Sequence, residues 1–192
     1  MVGILRRRGL MKKTEEVNHL LYSLYNYTSR SQINTQTPVL SSDRSATVAV
    51  DITTTSNPTS SSAVSRTWKI CTAWANNTRN LDLGKNGRSN SYLTVWFFGT
   101  SSQITESTAA AGRKRFVLTH EANSNTLTVY SKMGTGTVQT QTVTATYQAL
   151  STPIYVSGDT GGANQLPEGT LTSFEVFDNI WTEAQRTSFF AD

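Results

Sequence analysis

Cys71 is the only cysteine of the chain, and His19 and His120 are its only histidines. One cysteine excludes an internal disulfide framework and a cysteine-rich zinc site, and two histidines argue against a histidine metal centre. Cys71 and His120 form no recognisable nucleophile pair. Each falls within a strand pattern, so a buried core cysteine and an ordinary strand histidine are expected. The carboxylates Asp51, Asp82, Asp159 and Asp178 are scattered, and none sits in the dense Asp/Asn cluster that a hard cation needs. No cofactor is therefore expected, calcium included. Asp159 is the best single candidate, but an Asp beside Gly158 is better read as a turn former. Asp159, Thr160 and Asn164 share one Gly-rich stretch and are the candidate ligand-binding residues. Glu175 and Asp178 are three apart, so on a regular strand they point to opposite faces and cannot share a cleft. Trp68, Trp74, Trp96 and Trp181 can stack on sugar rings, although core or sheet-edge packing is the commoner use of tryptophan.

The cations are concentrated. Arg6, Arg7, Arg8, Lys12 and Lys13 precede residue 14, and removing those five from the 17 Lys and Arg leaves 12 against 13 Asp and Glu. The formal net charge of +4 therefore belongs to an N-terminal arm. Docking on an acidic protein surface is the favoured role of such an arm, ahead of nucleic acid, for which five charges are modest. A second basic knot, Gly112-Arg-Lys-Arg115, stands at the entry to a strand and reads as a solvated edge that blunts β-aggregation.

These residues need elements to hold them. About 50 of the 192 residues are Ser or Thr, while charged residues are only 16%, a composition that favours strands over a helical bundle. Val17, Leu20, Leu21, Leu24 and Tyr25 fall at helical spacing, which predicts an amphipathic helix after an N-cap at Thr14. No apolar run reaches the ~20 residues of a membrane helix, so no membrane partner is expected. Residues 31–43 read as a linker. Ala46–Ile52 alternates as a strand, and Thr53–Ser62 reads as a loop. Further strands are predicted at Thr67–Trp74, Tyr92–Phe98, Arg115–His120, Asn125–Ser131, Val138–Tyr147, Pro153–Ser157 and Leu171–Phe177. Tyr92–Phe98 is the densest and is expected to be central and buried on both faces. Glu121–Asn125 suits a tight hairpin, and Thr182-Glu-Ala-Gln185 fits a capping box opening a short helix.

The sequence after residue 44 resembles the laminin-G-like, or concanavalin A-like, jelly roll. The paired segments Arg115-Phe-Val-Leu-Thr-His120 and Thr126-Leu-Thr-Val-Tyr130 carry the resemblance, with the Gly turn at Tyr130-Ser-Lys-Met-Gly134. Ile154-Tyr-Val-Ser-Gly-Asp-Thr-Gly-Gly162 and the closing run from Gly169 to Gln185 complete it. The resemblance implies an all-β fold, a two-sheet antiparallel jelly-roll sandwich, over residues 44–192. Residues 1–30 would add the basic arm and amphipathic helix as an anchor. Retaining hydrolases of this family carry a Glu-x-Asp-x-x-Glu strand, which this sequence lacks, so an enzyme is not expected.

The reading that follows is a non-enzymatic binding or structural component of a virus particle, most naturally a bacteriophage. It would display a jelly-roll module for decoration, stabilisation or adhesion. Arg6, Arg7, Arg8, Lys12, Lys13, Val17, Leu20, Leu21 and Leu24 would hold it to other virion proteins in an oligomeric assembly, and cell-surface glycans are the candidate ligands. A stand-alone carbohydrate-binding lectin module and a small coat protein with a nucleic-acid-binding arm are the alternatives.

Overall fold

Alternating Thr and Val residues sort onto two faces of a strand, and the fold follows from burying one face of each sheet against the other. The computed structural model describes residues 19–28, 33–55, 68–75, 78–85, 93–104, 111–146, 151–156 and 169–191. Its strands are β1 Leu20–Tyr27, β2 Ile33–Ser41, β3 Ala46–Thr54, β4 Trp68–Ala75, β5 Thr78–Lys85 and β6 Thr94–Phe97. They continue as β7 Thr100–Gln103, β8 Gly112–His120, β9 Thr126–Met133, β10 Gln139–Thr144, β11 Ser151–Val156 and β12 Gly169–Phe177, and the helix α1 spans Glu183–Phe190. Two six-stranded sheets form. Sheet A has the order β1-β12-β3-β8-β9-β10 and sheet B the order β2-β11-β4-β5-β6-β7, every pairing being antiparallel.

The core lies between the sheets. Sheet A contributes Val48, Val50, Ile52, Phe116, Leu118, Leu127, Val129, Phe174 and Val176; sheet B contributes Cys71, Ala73, Leu81, Leu83, Val95, Phe97, Ile154 and Val156. Each large side chain buried there contributes roughly 1.5–3 kcal/mol. Two turns need special backbone. Phe98 and Gly99 both have positive φ, 43° and 81°, and join β6 to β7 as a two-residue hairpin whose twist matches its strands. Gly169 has φ 143°, and a Cβ there would lie 1.9 Å from the Thr53 carbonyl oxygen, so only glycine lets β12 start beside β3.

The outer face of sheet A is closed by α1. Trp181, Ala49, Val117 and Phe190 form a second, smaller apolar cluster there, with Tyr130, Phe177 and Phe189 packed on it. The capping box at Thr182 and Gln185 is present and starts the helix. Its last turn holds no basic residue of its own. The sheet supplies the cations instead: Arg115 Nη1 donates to the carbonyls of Phe189 (3.2 Å) and Ala191 (2.7 Å), and Lys132 Nζ to that of Phe190 (3.0 Å). Positive charge at a helix C-terminus satisfies carbonyls that the helix cannot.

Several expectations change. Leu20, Leu21 and Leu24 belong to strand β1, not to a helix, because β12 offers a ladder along the whole segment and their spacing suits either element. Val17 and the predicted N-cap lie outside the described residues, as do 56–62 of the expected loop. Part of the expected linker is strand β2, paired with β11. The Gly112–Arg115 knot is not a solvated edge: β8 lies between β3 and β9, and Lys114 and Arg115 are buried. β3, β8 and residues 80–84 of β5 are buried on both faces, whereas β6 is second from an edge and its Trp96 is only half-buried.

Candidate functional site

The outer face of sheet B is built by the same alternation that builds the core. On β11, Ile154 and Val156 are core residues, so Tyr155 points the other way; Thr72, Asp82 and Trp96 stand between core residues on β4, β5 and β6 in the same manner. Register then brings these four side chains into one row. Tyr155 pairs with Thr72, Thr72 with Asp82, Asp82 with Trp96, and Trp96 with Ser101 of β7. Paired residues share a face, so a hydroxyl, a carboxylate and two polar-tipped aromatics lie side by side across four strands.

The centre of this row is buried and the flanks are less so. Thr72 and Asp82 are 0% exposed, while Tyr155 and Trp96 are half-buried. Asn80, the extra residue where the β4–β5 register shifts between Ala73 and Trp74, is also fully buried. Its carbonyl accepts from Phe98 N–H at 3.1 Å, which ties the bulge to the β6–β7 hairpin. Among the described residues, neither the Thr72 hydroxyl nor the Asn80 side-chain amide finds a hydrogen-bond partner. A buried polar group left so costs about 1–3 kcal/mol.

The residues singled out from sequence are placed as follows. Asp159, Thr160 and Asn164 lie outside the described residues, as do Arg6, Arg7, Arg8, Lys12, Lys13 and Val17. Asp51 is held by Arg113, whose Nη2 is 2.8 Å from Oδ2, and Asp178 by His19 Nδ1 at 2.8 Å. Glu175 accepts the Tyr25 hydroxyl, and that carboxylate holds the phenol pKa above its ordinary value. Among the described residues no group of three or more His, Cys, Asp or Glu side chains could hold a metal ion. Cys71 is a core residue of sheet B; His120 packs on Phe97 and Phe98 at the end of the sandwich, with Nδ1 3.2 Å from the Thr126 carbonyl. Trp181 is in the cluster under α1. Sequence reading assigned none of Thr72, Asn80 and Tyr155 to a site; it set Thr72 on one strand face with Ile70, which the structure puts in the core instead. The available signal was a polar residue between two apolar ones on three strands, which gains meaning only when register aligns them.

No family model and no curated protein sequence matches the chain. Solved structures do. The binding domain of Paraclostridial Mosquitocidal Protein 1 superposes with a TM-score of 0.56 at 14% identity, over 86% of this chain and 42% of that one. Ruminococcus gnavus IT-sialidase CBM40, bound to alpha2,6 sialyllactose, gives 0.57 at 9% identity, over 88% of this chain and 98% of that one. The fold is a lectin-like β-sandwich. A leech intramolecular trans-sialidase gives 0.58 at 10% identity, over 90% of this chain but only 28% of its own. The sandwich thus spans less than half of two of these proteins and nearly all of the CBM40.

Proposed function

We propose that the chain is a glycan-binding module whose sugar site is the outer face of sheet B. The observation that carries this is the buried Thr72 hydroxyl and Asn80 amide, without partners among the described residues, in a sheet face flanked by two half-buried aromatic rings. Sugars present what such a face lacks. Their hydroxyls both donate and accept, so one can satisfy the Thr72 hydroxyl or the Asn80 amide. The apolar face of a pyranose stacks on an aromatic ring such as Trp96 or Tyr155. The sandwich fold supports the reading, because a full-length match is a CBM40 bound to a sialylated sugar. The proposal is for binding rather than catalysis: Glu175 and Asp178 are engaged by Tyr25 and His19.

We place this module on a virus particle, held there by the basic arm; the five cations before residue 14, with no acid among them, support attachment to an acidic surface. Glycan-array screening of the full chain identifies the ligand, and titration calorimetry with it compares wild type and Trp96→Ala. The variant should bind at least about tenfold more weakly, roughly 1.4 kcal/mol, with little change in unfolding midpoint. Equal binding by the variant would remove sheet B from the proposal. A chain beginning at His19 should keep its glycan affinity and lose incorporation into particles.

A further inference from the structure

Sheet A ends at β1, and among the described residues β1 has β12 on one side and no strand on the other. Long apolar edge strands template pairing, and proteins blunt them with charges, prolines or short length. The other edges are blunted. β2 contains Pro38, which offers no N–H, and its pairing is broken by register shifts around Pro153. β7 has four residues, Thr100–Gln103, and β10 is the polar run Gln139–Thr144, whose one large apolar residue, Val143, is buried in the core. β1 is different: Leu-Leu-Tyr-Ser-Leu-Tyr-Asn-Tyr holds no charge and no proline. Leu21 is 43% exposed and Tyr25 53%, both on the outer face, while Tyr22 and Leu24 are only partly buried on the inner one.

We propose that β1 is the contact surface for a second copy of this chain, paired antiparallel about Ser23 across a two-fold axis. The sequence selects that occupant because it is self-complementary about this residue. In the register that sets Ser23 opposite Ser23 of the second copy, Leu21 meets Tyr25 and Tyr22 meets Leu24, twice each. Within Leu21–Tyr25 every apolar residue meets an apolar one of the other kind, outer face on outer face and inner on inner, while at the ends Leu20 meets Asn26 and Tyr27 meets His19; aromatic–aliphatic pairs stabilise adjacent strands. An uncharged strand also brings no repulsion to its own copy. A two-fold contact needs one patch that matches itself, and β1 is that patch. The two A sheets then run on as one twelve-stranded sheet, with both B faces free for ligand. This inference is independent of the glycan reading.

The test uses the full chain. Sedimentation equilibrium over about 1–100 µM should show a dimer, and Ser23→Lys, which doubles a charge on the axis, should raise its dissociation constant at least about tenfold. Because Cys71 is fully buried, an introduced surface thiol is the reactive one. Ser23→Cys should cross-link into dimers on mild oxidation, since opposed Cβ atoms lie within about 4.5–5.5 Å in such a pair. Thr142→Cys, exposed on the polar edge β10, should stay monomeric on the same timescale. A full chain that is monomeric throughout overturns the proposal, as does a dimer that tolerates Ser23→Lys or cross-links equally through Thr142→Cys. If only a chain beginning at His19 dimerises, the arm of the same molecule is the occupant and the proposal fails.

Discussion

On the outer face of sheet A, the fully buried Thr47 hydroxyl donates to the Asn179 carbonyl at 2.6 Å and accepts from Trp181 N–H at 3.1 Å. On the outer face of sheet B, the equally buried Thr72 hydroxyl has no such partner among the described residues. The aromatics divide in the same way. Trp181 is packed between Phe177 and Phe189, with ring centroids at 5.0 and 5.5 Å, and Arg186 stacks on Tyr130 at 4.5 Å while donating to the Trp181 carbonyl. Trp96 and Tyr155 are instead left half-buried. The two faces use the same residue types, and what separates Thr47 from Thr72 is saturation. On sheet A, Thr47, Arg115 and Lys132 bond to the segment from Asn179 to Ala191, so α1 is part of the fold. On sheet B the Thr72 hydroxyl and the Asn80 amide have no partner among the described residues, and the proposed glycan site rests on that difference.

That contrast can be broken by substitutions on either side. The largest effect is expected from Arg115→Ala, which strips two carbonyls at the α1 C-terminus of their donor and empties a site only 1% exposed. Losing one partner of a buried charged network should cost about 3–5 kcal/mol in urea unfolding. Glycan affinity of the protein that remains folded should be unchanged, and a parallel loss of binding would show that the two faces are coupled.

A matched pair sharpens the comparison further. Thr47→Val should destabilise by about 1–2 kcal/mol, because it strands the Asn179 carbonyl and the Trp181 amide. Thr72→Val removes a hydroxyl with nothing to lose, so stability should hold or rise while glycan affinity falls. Equal destabilisation by both would mean that Thr72 is spoken for within the chain.

The smallest effect concerns the far rim of sheet A. Lys114 is 3% exposed, its Nζ donates to Thr54 Oγ1 at 2.7 Å and to the Gly112 carbonyl at 3.1 Å, and burial pushes its pKa down to about 8. The folded pKa lies below the unfolded one, so between pH 8 and 10.5 the unfolded chain binds more protons and stability rises with pH. Screening by solvent reduces the gain to about 1 kcal/mol. Lys114→Met should flatten that rise, as read from unfolding midpoints across the same window.

Sequence reading reached the sheet under α1 more readily than the outer face of sheet B. β3, β8, β9, β12 and the capping box were legible because clean alternation and a Thr-x-x-Gln pattern are local signals. β1 was misread because Leu20, Leu21 and Leu24 suit either period, and only pairing with β12, some 150 residues away, decides between them. β5 was missed because Arg79, Asn80, Asp82 and Gly84 dilute Leu81 and Leu83. Those same polar residues include part of the site. Trp96 and Asp82 were both noticed, but as unrelated residues. Their adjacency, and that of Thr72 and Tyr155, is a property of register, which no single segment encodes.

The order of sheet A has one more consequence, and it concerns time. β1 and β3 do not touch; β12 lies between them and pairs with both. A ribosome makes β12 after the other described strands, so β1 waits through the synthesis of all of them before its ladder exists. Closing so long a loop is slow, and an unpaired apolar strand is prone to aggregation meanwhile. The keystone strand is also the last of the described strands, so sheet A cannot be completed until it is made. Its completion is a late event in which the first and last of the described strands arrive together.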